Sequence, residues 1–93
     1  MQPAEPSDRP VLLPTVEFRI LDDLSGVAVD LESEQAHALN LVGVAVLERC
    51  DGTLTVGEIV DEVCDIFDAP REQIAADVHA FLADIGALRM IEW

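Results

Sequence analysis

The side chains able to do chemistry in this sequence are two histidines, two cysteines and nineteen carboxylates. A metal centre would have to be built from them, and a nucleophile–base pair would take its base from them. His37 and His79 stand apart, neither with a partner at a ligand spacing such as H-x-x-x-H, so the pattern points to no metal site. Cys50 and Cys64 have no C-x-x-C spacing and are too few for a disulfide scaffold. Both fall on apolar faces of predicted helices, where a thiol behaves as a small buried hydrophobe. G-x-S-x-G, the P-loop and G-x-G-x-x-G are absent, as are tyrosine and lysine. A non-catalytic protein without metal or cofactor is the expectation.

The carboxylates raise a different question. Five arginines against nineteen acids give −14 at pH 7. Phosphate binding needs clustered cations, which argues against nucleic acid as the main partner and against docking on an anionic membrane. Hydrophobic residues make up 51% of the chain and mean hydropathy is +0.29, which indicates a folded core under an acidic skin rather than a disordered chain. On one predicted helix Glu58, Asp61, Glu62 and Asp65 share the exposed side with no cation among them. Like charges at such spacings cost a few tenths of a kcal/mol per pair. The face reads either as solvated surface or as a docking patch for a basic partner.

The elements that must carry these groups follow from the apolar pattern. At 93 residues the chain is expected to form one domain. Residues 1–14 hold four of the five prolines and are expected as a loose arm, with the domain at 15–93. The N-terminus has neither the basic start nor the apolar stretch of a signal peptide. The uncharged run from Ala36 to Leu47 is too short to span a bilayer, so a soluble cytoplasmic protein is expected. Val16, Phe18 and Ile20, then Val27, Val29 and Leu31, alternate with polar or small residues around turn chemistry at 22–26, the pattern of a β-hairpin. Residues 33–40 fit either a third strand or the start of a helix; the strand is preferred because Asn40 is a good N-cap for the denser apolar run that follows.

That run predicts a helix from Leu41 to about Cys50, apolar nearly all round, with Gly52 as a left-handed terminator. Such a helix is either the buried centre of the fold or partly an interface. Thr55 and Glu58 form a T-x-x-E capping box ahead of an amphipathic stripe from Val56 to Phe67. Pro70 opens a third helix with a stripe of Ile74, Val78, Phe81, Leu82 and Ile85, closed at Gly86. The tail is expected to pack back through Leu88, Met90 and Ile91. Three strands followed by three helices make an α+β fold like a winged helix-turn-helix, which does not by itself fix a function.

Asp30-Leu31-Glu32, Ala38-Leu39-Asn40, Leu47-Glu48-Arg49-Cys50-Asp51-Gly52 and Thr55-Val56-Gly57-Glu58-Ile59-Val60 come in an order that resembles the PqqD-like proteins. The run from Phe67 to Leu82 is similar to that family's third helix, and the likeness covers roughly residues 16–91. These proteins are peptide chaperones of pyrroloquinoline quinone biosynthesis and related recognition elements for ribosomally made, modified peptides. The resemblance implies a three-stranded sheet with three helices and no catalysis. It also implies that a precursor's leader adds as a strand to the third strand, in a groove against the third helix. The precursor is then presented to a modifying enzyme, a radical S-adenosylmethionine protein in the quinone pathway, or to a leader peptidase in lasso-peptide pathways.

Carried onto this sequence, the resemblance places the peptide-binding strand at Gln35, Ala36, His37, Ala38 and Leu39. The groove wall would be Arg71, Ile74, Ala75, Val78 and Leu82, each of which also has a core reading. Relatives often carry bulky aromatics where this chain has Ala36 and His37, and polar residues where it has Leu41 and Val42. The first change leaves room for a bulky leader residue. The second offers an apolar pair to a partner or a second copy, so a monomer or a weak homodimer is expected.

Two other classes compete. An acyl or peptidyl carrier protein is equally small and acidic but needs a serine in a D-S-L-like setting, which neither Ser25 nor Ser33 has. A DNA-binding winged helix would have to read phosphate with Arg71 against Glu72, Asp77 and Asp84, a repulsive arrangement.

Overall fold

A computed structural model describes residues 2–22 and 25–93. The hairpin expected from the alternation is present: Val16–Asp22 (β2) pairs antiparallel with Ser25–Asp30 (β3), with a register shift between Ile20 and Asp22. The turn chemistry expected at 22–26 includes Asp23 and Leu24, which lie outside the described residues. Residues 36–40 resolve the strand-or-helix alternative as a strand, Ala36–Asn40 (β4), antiparallel to β3, so the sheet order is β2-β3-β4. Val16, Ala28 and Leu39 are buried on one face of this sheet.

Leu41–Leu47 (α1) follows β4 with no linker, because Asn40 both ends the strand and caps the helix: its side-chain oxygen accepts from the Gly43 amide at 2.8 Å. The helix ends three residues earlier than the apolar run suggested, and the chain from Glu48 to Cys50 is a turn. Gly43 to Leu47 are buried, so α1 is the central helix. It lies close over the sheet, since a Cβ at Gly26 would sit 3.0 Å from Val44 Cγ2 and 2.6 Å from the Arg19 carbonyl oxygen.

Val56–Phe67 (α2) and Arg71–Ala87 (α3) complete the helical layer. The capping box is formed in both directions: Thr55 Oγ1 accepts from the Glu58 amide at 3.1 Å and Glu58 Oε1 from the Thr55 amide at 2.9 Å. The remaining free amides at this helix end explain the N-terminal segment, which corrects the expectation of a loose arm. The carbonyls of Asp8 and Pro6 accept from Val56 and Gly57 at 2.8 and 3.1 Å, and that of Pro10 accepts from Gly52 at 3.1 Å. Proline lacks a donor but keeps its acceptor, so a proline-rich strap suits a helix start that exposes only donors. Gly52, at φ 84°, makes the turn that receives it.

The strap continues into Val11–Leu12 (β1), which pairs antiparallel with Ile91–Glu92 (β5) in a second, two-stranded sheet. The tail packs back as expected, with Met90 and Ile91 buried and Leu88 half-buried against the core. Gly86 does not close α3. The Met90 amide donates to the Ile85 carbonyl at 3.3 Å and the Arg89 amide to Gly86 at 3.0 Å, a Schellman arrangement with Arg89 as the left-handed residue at φ 58°. No described helix is long and apolar enough to cross a membrane.

Two substitutions test this geometry by thermal melting. Arg89→Gly relieves a left-handed L-residue, and after the added backbone entropy of glycine it should gain about 0.5–1 kcal/mol, raising Tm by ~2–8 °C. Gly26→Ala drives a methyl into a backbone carbonyl and should cost about 1–3 kcal/mol, lowering Tm.

Candidate functional site

Strand β4 lies at the sheet's edge, and its backbone decides what that edge offers. The Asp30 amide donates to the Gln35 carbonyl at 2.9 Å. In an antiparallel ladder such bonded pairs alternate with unbonded ones, so His37 and Leu39 bond toward β3. The amides and carbonyls of Ala36 and Ala38 therefore face outward, away from the sheet. An edge of this kind is a template for one more strand. The side chains alternate in the other sense: Leu39 is buried and His37 half-buried beneath the helices, while Ala36 and Ala38 are exposed on the opposite face.

The turn that launches this strand is organised by Asp30, the buried acid of the core region. Its Oδ1 accepts from the amides of Glu32 at 3.0 Å and Ser33 at 3.4 Å, and Glu34 in the same turn takes φ 62°. The Glu32 amide chiefly, helped by Thr15 and Ser33 and opposed by burial, holds the Asp30 carboxyl below its ordinary value of 3.8.

Beyond the edge, α3 packs on α1 and α2 and stands off from β4, leaving a groove of about 310 Å³. His37, Ala38 and Asn40 line one side, Asp77, Ala80, Phe81 and Asp84 the other, with Val42 at the junction. The Phe81 ring bridges the two walls. It lies 6.2 Å from the His37 ring, tilted by 57°, and it rests on Gly43, where a Cβ would come within 2.9 Å of Phe81 Cε1. Gly43 is thus the gap in α1 that admits the ring.

Of the residues singled out on α3, Ile74, Val78 and Leu82 are core, at 2%, 0% and 0% exposure, and do not reach the groove. Ala75 is half-buried against the same core. Arg71 turns to α2, where it pairs with Asp61. The helix presents the neighbouring stripe, at residues 77, 80, 81 and 84, instead. An apolar stripe marks the face a helix buries, and the groove lies one side of it. The half-exposed aromatic Phe81, flanked by acids one turn away on each side, was the available signal. Gln35, on the edge side of the turn, is exposed and outside the groove lining.

The acids on α2 acquire cations that the sequence order hid. Arg49 bonds Glu62 at 3.0 Å while also donating to the Ala45 carbonyl at 2.9 Å, and Arg71 pairs with Asp61. Glu58 is occupied by its cap, while Asp65 is exposed. Such exposed pairs are worth little stability each, so they shape the face more than they hold it.

Among the described residues no group of three or more His, Cys, Asp or Glu side chains is placed to hold a metal. Burial first, and the Asp51 charge second, push the Cys50 thiol up to about 12, and its Sγ lies 3.1 Å from the Val46 carbonyl. A thiol in that state is inert as a nucleophile.

Comparison with known proteins covers most of the chain. The family "Coenzyme PQQ synthesis protein D (PqqD)" matches residues 25–91. A PqqA binding protein of Rhizobium meliloti is 35% identical over 71 residues, covering 76% of this chain and 72% of the relative. One of Bradyrhizobium diazoefficiens is 35% identical over 80 residues, covering 86% and 77%. The solution structure of the PqqD truncation of Methylobacterium extorquens PqqCD, described as a stand-alone recognition element for ribosomally synthesised, modified peptides, superposes with TM-score 0.78 at 30% identity, covering 97% of this chain and 95% of that one. The fold also matches lasso peptide synthetase B1 complexed with its leader peptide, at TM-score 0.73, 15% identity and 91% and 99% coverage.

The launch turn of β4 makes its own prediction. Because the Asp30 carboxyl is held below 3.8 on folding, its contribution is present above that pH and lost as pH falls through the lowered value; Asp51 and Glu58 shift in the same direction. In melts from pH 7 to pH 2, wild-type Tm should fall steeply once the pH passes below about 4. Asp30→Asn should start lower at pH 7 and decline less steeply; equal slopes would rule out the Asp30 contribution.

Proposed function

The chain belongs to the PqqD family, and from that premise we propose that it binds the PqqA precursor peptide without catalysing a reaction. One structural observation carries the proposal: the outward amides and carbonyls of Ala36 and Ala38 border an open groove against α3. A peptide strand added there satisfies the open edge whatever its sequence, while the groove selects among side chains. The relatives named PqqA binding proteins support PqqA as the occupant. In this reading Gln35 and Ala36 to Leu39 supply the receiving strand. The groove's α3 wall is Asp77, Ala80, Phe81 and Asp84, backed from the core by Ile74, Val78 and Leu82.

The bound precursor is then presented to a modifying enzyme in the cytoplasm, a radical S-adenosylmethionine protein in the quinone pathway. The acidic side of α2 is the docking patch we assign to that enzyme. Asp65 is its freest charge, and Asp61 and Glu62 are already partly neutralised by Arg71 and Arg49. Charge on such a face acts on encounter rate and partner choice more than on final affinity.

The test is an anisotropy titration of fluorescein-labelled synthetic PqqA. Binding is expected with Kd below ~100 μM, about 5.5 kcal/mol. Ala38→Pro deletes an outward amide at an edge where proline is structurally tolerated, so it should weaken binding tenfold or more with little change in Tm. Unchanged affinity in a folded Ala38→Pro protein would refute strand addition.

A further inference from the structure

The groove has a charge pattern that strand addition alone does not explain. Asp77 and Asp84 stand at its two ends on α3, and Phe81 lies between them. Among the described residues neither carboxylate has an ion-pair partner. The fold sends four of its five arginines elsewhere: Arg49 to Glu62, Arg71 to Asp61, Arg19 to Glu17 and Arg9 to the Thr53 carbonyl. Both aspartates are exposed, so they cost the free protein little. A strand laid along β4 would bring its inward side chains down beside them and displace part of their water.

The spacing is what makes the pattern specific. Seven residues of helix separate Asp77 from Asp84, roughly 10 Å along the axis. Inward side chains of a strand recur every second residue, roughly 6.6 Å apart, so three in succession span about 13 Å. The middle one lies over the apolar floor of Phe81, Val42 and Ala80, and the outer two fall near the carboxylates. Flexible cationic stems cover the remaining 1–2 Å at each end.

Resting on the peptide-binding reading above, we infer that this groove selects a strand whose inward positions read cation, apolar, cation. Asp77 and Asp84 receive the two cations and Phe81 receives the apolar side chain between them. An acidic residue at either outer position meets a carboxylate at close range, in the field of a chain that already carries −14. The outward positions lie beside Ala36 and Ala38, whose small side chains set little restriction there.

The probes are two labelled synthetic peptides with threonine at alternate positions. One carries arginine, leucine, arginine at the others, and its twin carries glutamate, leucine, glutamate. Both are titrated by anisotropy against wild type, against Asp77→Asn/Asp84→Asn, and against Glu48→Gln/Asp68→Asn, which removes the same charge away from the groove. The arginine peptide should bind wild type and the control at least tenfold tighter than the glutamate peptide. That preference should collapse in the groove variant and shrink as salt rises. Failure of the arginine peptide to bind, equal affinities, or a preference that the groove variant keeps would overturn the inference. Labelled PqqA measured alongside separates the two claims. Binding of PqqA without the arginine preference removes only the selectivity, and absence of PqqA binding removes the PqqA assignment even where the preference stands.

Discussion

Asn40 holds the sheet and the helical layer in one geometry. It is the last residue of β4, opposite Ser25, and its side chain caps α1 through the Gly43 amide. With no linker between strand and helix, the direction of α1 follows from the strand. Gly43, three residues on, is where the Phe81 ring of α3 seats, and that ring returns to His37 on β4. The sequence of contacts from β4 through α1 and α3 back to β4 closes around the groove. Its width is therefore set by a cap, a missing Cβ and an aromatic pair, not by a flexible loop. A preformed site avoids part of the ordering cost that a peptide-binding surface otherwise bears on association.

Local signals carried most of the fold. The cap at Asn40 and the box at Thr55 and Glu58 each describe an interaction closed within a few residues, and each is present; the alternation from Val16 gives the strand, though Ile20 is exposed. The misreadings occur where the deciding partner is distant in sequence. The proline strap is held by amides of residues 52, 56 and 57, more than forty positions away. Likewise Gly86 carries the residue type of a terminator, yet it is buried inside α3, and the left-handed turn falls to Arg89 because Met90 must enter the core. Periodicity on α3 located the buried stripe correctly, whereas the family resemblance implied a groove wall that included three residues of that stripe, Ile74, Val78 and Leu82. The groove is lined by the amphipathic margin beside it, which only the placement of β4 and α1 identifies.

Charge follows the same division. In one dimension the α2 acids lack cations; in three, Arg49 reaches them from the turn after α1 and Arg71 from the start of α3. Among the described residues, these pairs leave the groove carboxylates as local negative charges without ion-pair partners of their own. Net charge thus describes how the molecule behaves at long range, whereas the allocation of a few arginines decides which acids remain free to recognise anything.

The pairing of β1 with β5, together with the bond from Trp93 Nε1 to the Gln2 carbonyl at 3.2 Å, brings residues 2 and 93 side by side. Neither end contributes to the groove lining. The domain is therefore topologically a closed unit with a single point of entry and exit. It lends itself to insertion within another polypeptide, or to circular permutation with new ends at the hairpin, while the peptide groove keeps its walls.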